Sequence, residues 1–160
     1  LMVAPYARHE VHVHLGPDQT SWPYVEMTMR QMADFGHLVE LERDPITREP
    51  TKIVVPRGGY RCAGNTVEPD ASNASYFLAL GAVHAGSRVT VAGLSESSLQ
   101  GDAKFGRVLR RAGVTVEVTA DSITSVGPTR LDGFEADMGD MPDLAQTAAV
   151  VALFASGRSR

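Results

Sequence analysis

Val39-Glu40-Leu41 and Val116-Glu117-Val118 stand 77 residues apart, and Phe35-Gly36 and Ala112-Gly113 share that offset. Val11-His12-Val13 and Val89-Thr90-Val91 follow at 78, a slip of one residue inside a turn. A repeat of this kind constrains the fold strongly, because each copy must be one supersecondary unit whose apolar face is covered by something else. In the first copy, alternating residues 9–15 read as a strand, and Ser21 and Pro23 open a helix from about Tyr24 to Phe35. Gly36 closes that helix, and strands Leu38–Glu42 and Lys52–Val55 follow. In the second copy, Arg88–Ala92 is a strand, Ser98–Asp102 leads into a helix ending at Ala112-Gly113, and Val114–Val118 and Ser122–Val126 are strands. The expected fold class is therefore α/β (α+β), built from βαββ units with sheets outside and apolar helices within.

Two further helices are apolar on every side. One starts at Asp70 or Ser72 and runs to about Ala85 through ASNASYFLALGAVHA. The other is the run Leu144–Ala155, introduced by three acids, Asp137, Asp140 and Asp143. Asp140 is the expected N-cap of the second helix, with Pro142 in its first turn. Helices this apolar belong in an interior, so Asp143 is expected where a helix start opens at the edge of a core. Phe134–Met138 reads as a short extended piece. Leu1–Pro5 reads as the end of a helix already under way, and Gly157–Arg160 follows a helix without a closing element. Those two ends suggest an internal fragment of a longer chain.

Composition narrows the function. A net charge of −4 with no basic stripe argues against nucleic acid as a partner. His12 and His14 alternate on one strand face without a Cys or carboxylate at ligand spacing, which favours solvent-facing strand residues over a metal site. Cys62 is the single cysteine, consistent with a reduced, cytoplasmic protein. No apolar run has the length of a membrane span.

Five stretches carry a resemblance: LMVAPYA, SWPYVEMT with a following FG, VEPDASNASYFLAL, SLQGD and DMGDMPDLAQTAAVVALFASG. Together, in this order and at this spacing, they resemble the EPSP synthase (3-phosphoshikimate 1-carboxyvinyltransferase) family. The resemblance implies two domains, each of three βαβαββ units with parallel inner helices. Residues 1–66 would be the C-terminal part of the first domain and residues 67–160 the N-terminal part of the second. It also implies transfer of the enolpyruvyl group of phosphoenolpyruvate to the 5-hydroxyl of 3-phosphoshikimate, with no cofactor, in a monomeric enzyme.

On the same resemblance, Asp143 is the proton acceptor and also binds the shikimate ring. Ser21 binds the 3-phosphate, and Tyr24 lies beside phosphate and ring. The physics is compatible, since a carboxylate can take a hydroxyl proton and a hydroxyl at a helix start can meet an anion. The structural alternatives are a dipole-matched acid, a plain cap and a packing tyrosine. Trp22 would sit beside the phosphate contacts, Asp70 would cap its helix near the crossover at 66–68, and Gln100 and Asp102 would organise a turn and helix start. The fragment alone is expected to be inactive and to expose helices meant for an interior. UDP-N-acetylglucosamine 1-carboxyvinyltransferase is the enzyme alternative, which DMGDMPDLAQT and SWPY fit less well. A non-catalytic βαββ-repeat domain is the alternative of a different class.

Overall fold

Two antiparallel sheets of one topology account for the repeat. The computed structural model describes every residue except Asp18 and Ala63. The sequence GPDQTSWP around the first reads as a turn and the glycine-rich PRGGYRCAGN around the second as a crossing between units, and both readings lie outside the described residues at these two positions. It divides into two compact units, Leu1–Thr66 and Val67–Arg160. The first holds β1 (Val11–His14), α1 (Trp22–Asp34), β2 (Glu40–Arg43) and β3 (Pro50–Val55), in sheet order β1-β3-β2. The second begins with α2 (Ala71–Val83). It then repeats the plan with β4 (Arg88–Ala92), α3 (Phe105–Arg111), β5 (Thr115–Val118) and β6 (Ser122–Val126), in sheet order β4-β6-β5. It ends with β7 (Leu131–Asp132), α4 (Ala145–Leu153) and β8 (Ala155–Ser156), the last pairing in parallel with β7.

The register makes the equivalence specific. Ile53 on the middle strand faces Val13 and Leu41, and Ile123 on the other middle strand faces Val91 and Val118. Both isoleucines are buried. The offset of 77 between Leu41 and Val118 falls to 70 between Ile53 and Ile123, so the first unit's second hairpin is the longer one. Gly36 and Gly113 both sit at positive φ, 81° and 86°, where a side chain would strain the backbone at the helix end.

What lies against each sheet differs. The first unit's core consists of Ala4, Met32, Ile53 and Val55, with Val25, Met29 and Leu41 half-buried around them. The second unit adds α2 and α4. Leu78 and Ala82 join Phe105, Leu109, Ile123, Leu144 and Val151 in one cluster. Gly81 lets α2 come close to its sheet: a Cβ there would lie 2.4 Å from Ser125 Oγ and 2.9 Å from Val89 Cβ. Ser125 Oγ takes up this approach by donating to Leu78 O at 2.8 Å.

Several local expectations are corrected. Leu1–Pro5 is not a helix end: Ala4–Tyr6 is one 3-10 turn, and Ala7 leaves it extended. The strand expected at Phe134–Met138 lies earlier, at Leu131–Asp132, although Phe134 and Ala136 still exchange backbone bonds with Arg160. The element after the last helix is β8, which two small residues after Phe154 leave inconspicuous in the sequence. The two apolar helices are not wholly interior either. Tyr76, Phe77 and Leu80 of α2 and Val150 and Leu153 of α4 are exposed, as is Phe154 just beyond. No helix among the described residues is long and apolar enough to cross a membrane.

Candidate active site

The first candidate group stands at the start of α1. Ser21 occupies the N-cap position, as its residue type suggests, but its backbone is left-handed (φ 57°, ψ 27°) and its hydroxyl makes no capping bond. A non-glycine residue in this region is strained by about 1–3 kcal/mol, so the surrounding turn must impose the conformation. The usual reason for serine at an N-cap, a side-chain bond to the first turn, is therefore absent, and the expected cap role is corrected. Tyr24 follows one turn on. Its N–H donates to Ser21 O at 3.0 Å, its carbonyl accepts from Thr28 Oγ1, and its ring is half-buried. Trp22 donates its indole N–H to Glu26 at 2.8 Å along the helix surface. Its ring also borders a cleft of about 420 Å³ with Gln19, Arg43 and Arg48.

The second group stands before α4. Asp137 Oδ1 accepts from Gly139 N–H at 2.9 Å and closes a local turn. Asp140 is exposed and does not cap the helix. The chain instead passes through Met141, which is buried, into a 3-10 turn Pro142–Leu144 that precedes α4. Met141 wins the position because its side chain enters the core, and Pro142 has no N–H to cap. Asp143 lies in that turn. Its carboxylate is exposed while the next residue, Leu144, is almost fully buried. Among the described residues, Asp143 enters no ion pair. The turn thus presents one carboxylate outward from a firmly packed base.

The start of α2 is the third group, and here the sequence reading was incomplete. Asp70 caps the helix, accepting from Asn73 N–H at 3.1 Å, and Glu68 accepts from Ser98 Oγ at 2.7 Å. Gln100 does not organise its own helix start. It receives Ala71 N–H on its Oε1 at 2.8 Å and donates its Nε2 to Pro69 O at 2.8 Å. Asp102 is buried and accepts from Ser72 Oγ, while its second oxygen has no partner among the described residues. Ser75 Oγ meets Thr147 Oγ1 of α4 at 3.3 Å. Ser72, the alternative to Asp70 as cap of this helix, lies inside it and gives its hydroxyl to Asp102, and Ser75 and Thr147 carried no assignment in the sequence. The signal available was small hydroxyl residues three apart on a helix that is otherwise apolar.

The expected site residues thus divide between the units. Ser21 and Tyr24 share one helix start in the first, and Asp143 is on the second. An apolar groove of about 410 Å³ runs between Leu80, Val83, Val150 and Phe154. Neither it nor the cleft beside Trp22 is lined by Ser21, Tyr24 or Asp143. The described residues hold no cluster of three or more His, Cys, Asp or Glu suited to a metal, and His12 is exposed and paired with Glu10 at 2.6 Å.

A family model described as EPSP synthase (3-phosphoshikimate 1-carboxyvinyltransferase) matches residues 1–160. The chain is 46% identical to the chloroplastic 3-phosphoshikimate 1-carboxyvinyltransferase 1 of Nicotiana tabacum, covering 98% of this chain and 31% of that protein. It is 43% identical to the 3-phosphoshikimate 1-carboxyvinyltransferase of Cellvibrio japonicus, over 100% of this chain and 36% of the relative. Among solved structures, the enolpyruvyl transferase NikO from Streptomyces tendae aligns with a TM-score of 0.71 at 21% identity, over 96% of this chain and 35% of that one. The chain therefore spans about a third of the length of the proteins it matches. At that identity the structural likeness establishes the enolpyruvyl transferase fold.

Proposed function

This chain belongs to the EPSP synthase family, and we propose that the protein containing it transfers the enolpyruvyl group of phosphoenolpyruvate to the 5-hydroxyl of 3-phosphoshikimate, releasing phosphate. One observation carries the reading: in a chain matched end to end by the family, the turn before α4 presents a carboxylate, Asp143, outward next to the buried Leu144. In this reaction the 5-hydroxyl of the shikimate ring attacks the enol carbon, its proton passes to Asp143, and the enol methylene gains a proton. The tetrahedral adduct then loses phosphate and a methyl proton, which restores the carbon–carbon double bond and gives the enol ether product. A positioned carboxylate contributes about 10²–10⁴-fold to such a proton transfer.

Ser21 and Tyr24 take the 3-phosphate end of the substrate in this reading. The uncapped start of α1 supports it, because Ser21's hydroxyl is not used within the helix and is available to an anion. Residues 1–66 then belong to the first domain of the enzyme and residues 67–160 to the second. The apolar faces of α2 and α4 are covered by the remaining helices of that second domain. The complete enzyme is a monomer without cofactor and works in a reducing compartment, the cytoplasm, where an exposed unpaired Cys62 is stable. Relatives from plants are named chloroplastic, so the compartment belongs to the organism more than to the fold.

The test is a phosphate-release assay on the full-length protein with both substrates. Conversion is expected, and Asp143→Ala is expected to slow it by about 10²–10⁴-fold while the circular dichroism spectrum stays unchanged. Absence of conversion defeats the reading, a full-speed Asp143→Ala enzyme removes Asp143 from its role, and turnover by the 160-residue chain alone refutes its expected inactivity.

A further inference from the structure

α4 has no polar face of its own to fix how it lies. Ala145, Ala148, Ala149, Val150, Val151, Ala152 and Leu153 surround its axis, so apolar burial is available on every side. Hydrophobic burial is non-directional. It holds such a helix in the core without selecting one rotation. What selects the rotation must be directional, and among the described residues α4 makes one side-chain hydrogen bond, Thr147 Oγ1 to Ser75 Oγ at 3.3 Å, with both groups buried.

The direction of that bond follows from proton counting. A serine hydroxyl has one proton. Ser75 gives its proton to Ser72 O at 2.6 Å, so Thr147 must be the donor in the contact with Ser75. Ser72 in turn donates its hydroxyl to Asp102, a carboxylate 1% exposed whose other oxygen has no partner. Thr147 thus gives its proton to Ser75, and Ser75 gives its own to the Ser72 carbonyl, two linked bonds that polarise each other in a low-dielectric interior. The Ser72 hydroxyl, a separate group on the same residue, holds the buried Asp102. Together these bonds join three stretches far apart in sequence: DLAQT, DASNAS and SLQGD.

We infer that the line Thr147–Ser75–Ser72–Asp102 aims the start of α4, making Thr147 a positioning residue for Asp143, a role that rests on Asp143 being the base. Thr147 lies four residues after Asp143, about one turn further along, and the Pro142–Leu144 turn itself packs on α2. A rotation of α4 about its axis would carry Asp143 with it, and the Thr147–Ser75 bond opposes that rotation alongside the packing of Met141 and Leu144. Displacement by about 1 Å at a reacting group can cost on the order of 100-fold in rate.

The experiment is steady-state kinetics on the full-length enzyme, with melting temperatures recorded in parallel. Thr147→Val keeps the shape and removes the donor. It is expected to lower kcat by about 10- to 100-fold with KM for 3-phosphoshikimate nearly unchanged. Thr147→Ser, which restores the donor, is expected to restore most of kcat. Ser75→Ala removes the acceptor from the other helix and is expected to reproduce the kcat loss, which keeps the test decisive should Thr147→Val fold poorly. Two results overturn the inference while leaving the base in place: normal kcat in Thr147→Val and Ser75→Ala beside a strongly slowed Asp143→Ala, or a kcat loss that Thr147→Ser does not repair. Normal turnover by Asp143→Ala overturns the base and its positioning together.

Discussion

Ile53 and Ile123 occupy the same place, the middle of the central strand in two sheets of one topology, yet their surroundings differ. Around Ile53 lie Ala4, Met32 and Val55 and a ring of half-buried side chains. Around Ile123 lies a continuous core to which α2, α3 and α4 all contribute. The second unit gained two apolar helices that the first unit, as present here, lacks. The difference bears on function. Ser21, the expected phosphate ligand, sits on a sparsely covered unit at a strained helix start. Asp143 sits on a turn whose neighbours Met141 and Leu144 are locked into the larger core. A group that only binds tolerates a loose support, whereas a group that moves a proton needs a firm one.

The largest effect that tests this contrast is kinetic. In the full-length enzyme, Asp143→Ala is expected to lower kcat by about 10²–10⁴-fold. Ser21→Ala is expected to raise KM for 3-phosphoshikimate by about 10- to 100-fold, the loss of one hydrogen bond to a charged group, with kcat little changed. Separate kcat and KM determinations decide it. A Ser21→Ala enzyme whose loss appears in kcat breaks the division of labour between the units.

Stability gives the next largest effect. Truncating a buried isoleucine to alanine costs about 2–5 kcal/mol, with the larger cost where the surroundings cannot close the hole. Ile123→Ala is therefore expected near the top of that range, since its neighbours are held by three helices, and Ile53→Ala near the bottom. Urea unfolding separates them. In the 160-residue chain Trp22 is the only tryptophan, so its fluorescence there reports the first unit, and amide exchange in α2 reports the second. Equal costs would mean that α2 and α4 add bulk to the second unit without stiffening it.

Much of this architecture was legible beforehand. The strands of both copies were readable because alternation and glycine-closed helices are local signals, and Val13, Leu41, Val91 and Val118 recur at nearly constant spacing. The two isoleucines escaped that reading because the longer hairpin after β2 breaks the offset. Asp143 stood out through its motif. The line through Ser72, Ser75 and Thr147 did not, since its members lie up to 75 residues apart, from Ser72 to Thr147, and meet only once α2 and α4 pack. The left-handed backbone of Ser21 was equally hidden: serine is an ordinary N-cap residue, and the turn before it decides its φ. Burial of α4 was overestimated because apolar composition says a helix has a partner without saying that the partner is in the same 160 residues.

Helix starts provide a smaller, opposed pair of effects. Asp70 caps α2 through Asn73 N–H in ordinary extended geometry, and Asp70→Ala is expected to lower the stability of the second unit by about 1 kcal/mol. Ser21 has no capping bond to lose and a positive φ that glycine adopts freely, so Ser21→Gly is expected to stabilise the first unit by up to about 1 kcal/mol. Trp22 fluorescence during thermal unfolding measures it. Destabilisation by Ser21→Gly would show that the serine hydroxyl supports the fold and not a ligand.

The smallest contrast lies in the two hairpins that set the repeat offsets apart. The longer one, β2–β3, turns on Asp44, whose carboxylate accepts from the N–H groups of Ile46 and Thr47, each at 2.8 Å. The Thr47 and Ile46 N–H groups hold the Asp44 carboxyl below its ordinary value, Thr47 most. The shorter one, β5–β6, turns on hydroxyls, with Thr119 and Ser122 bonded at 2.8 Å and Asp121 N–H donating to Thr119. A carboxyl whose folded pKa is depressed contributes stability above its unfolded pKa and loses it as pH falls through the folded value. Acid titration is therefore expected to speed amide exchange at Ile46 and Thr47, relative to the intrinsic rate, while Asp121 and Ser122 stay protected, because no carboxylate accepts in their turn. Asp44→Asn is expected to remove the pH dependence at Ile46 and Thr47 without touching the other hairpin. Parallel loosening of both turns would mean that the acid acts on the units as wholes, and the carboxylate turn would then be no weaker a joint than the hydroxyl one.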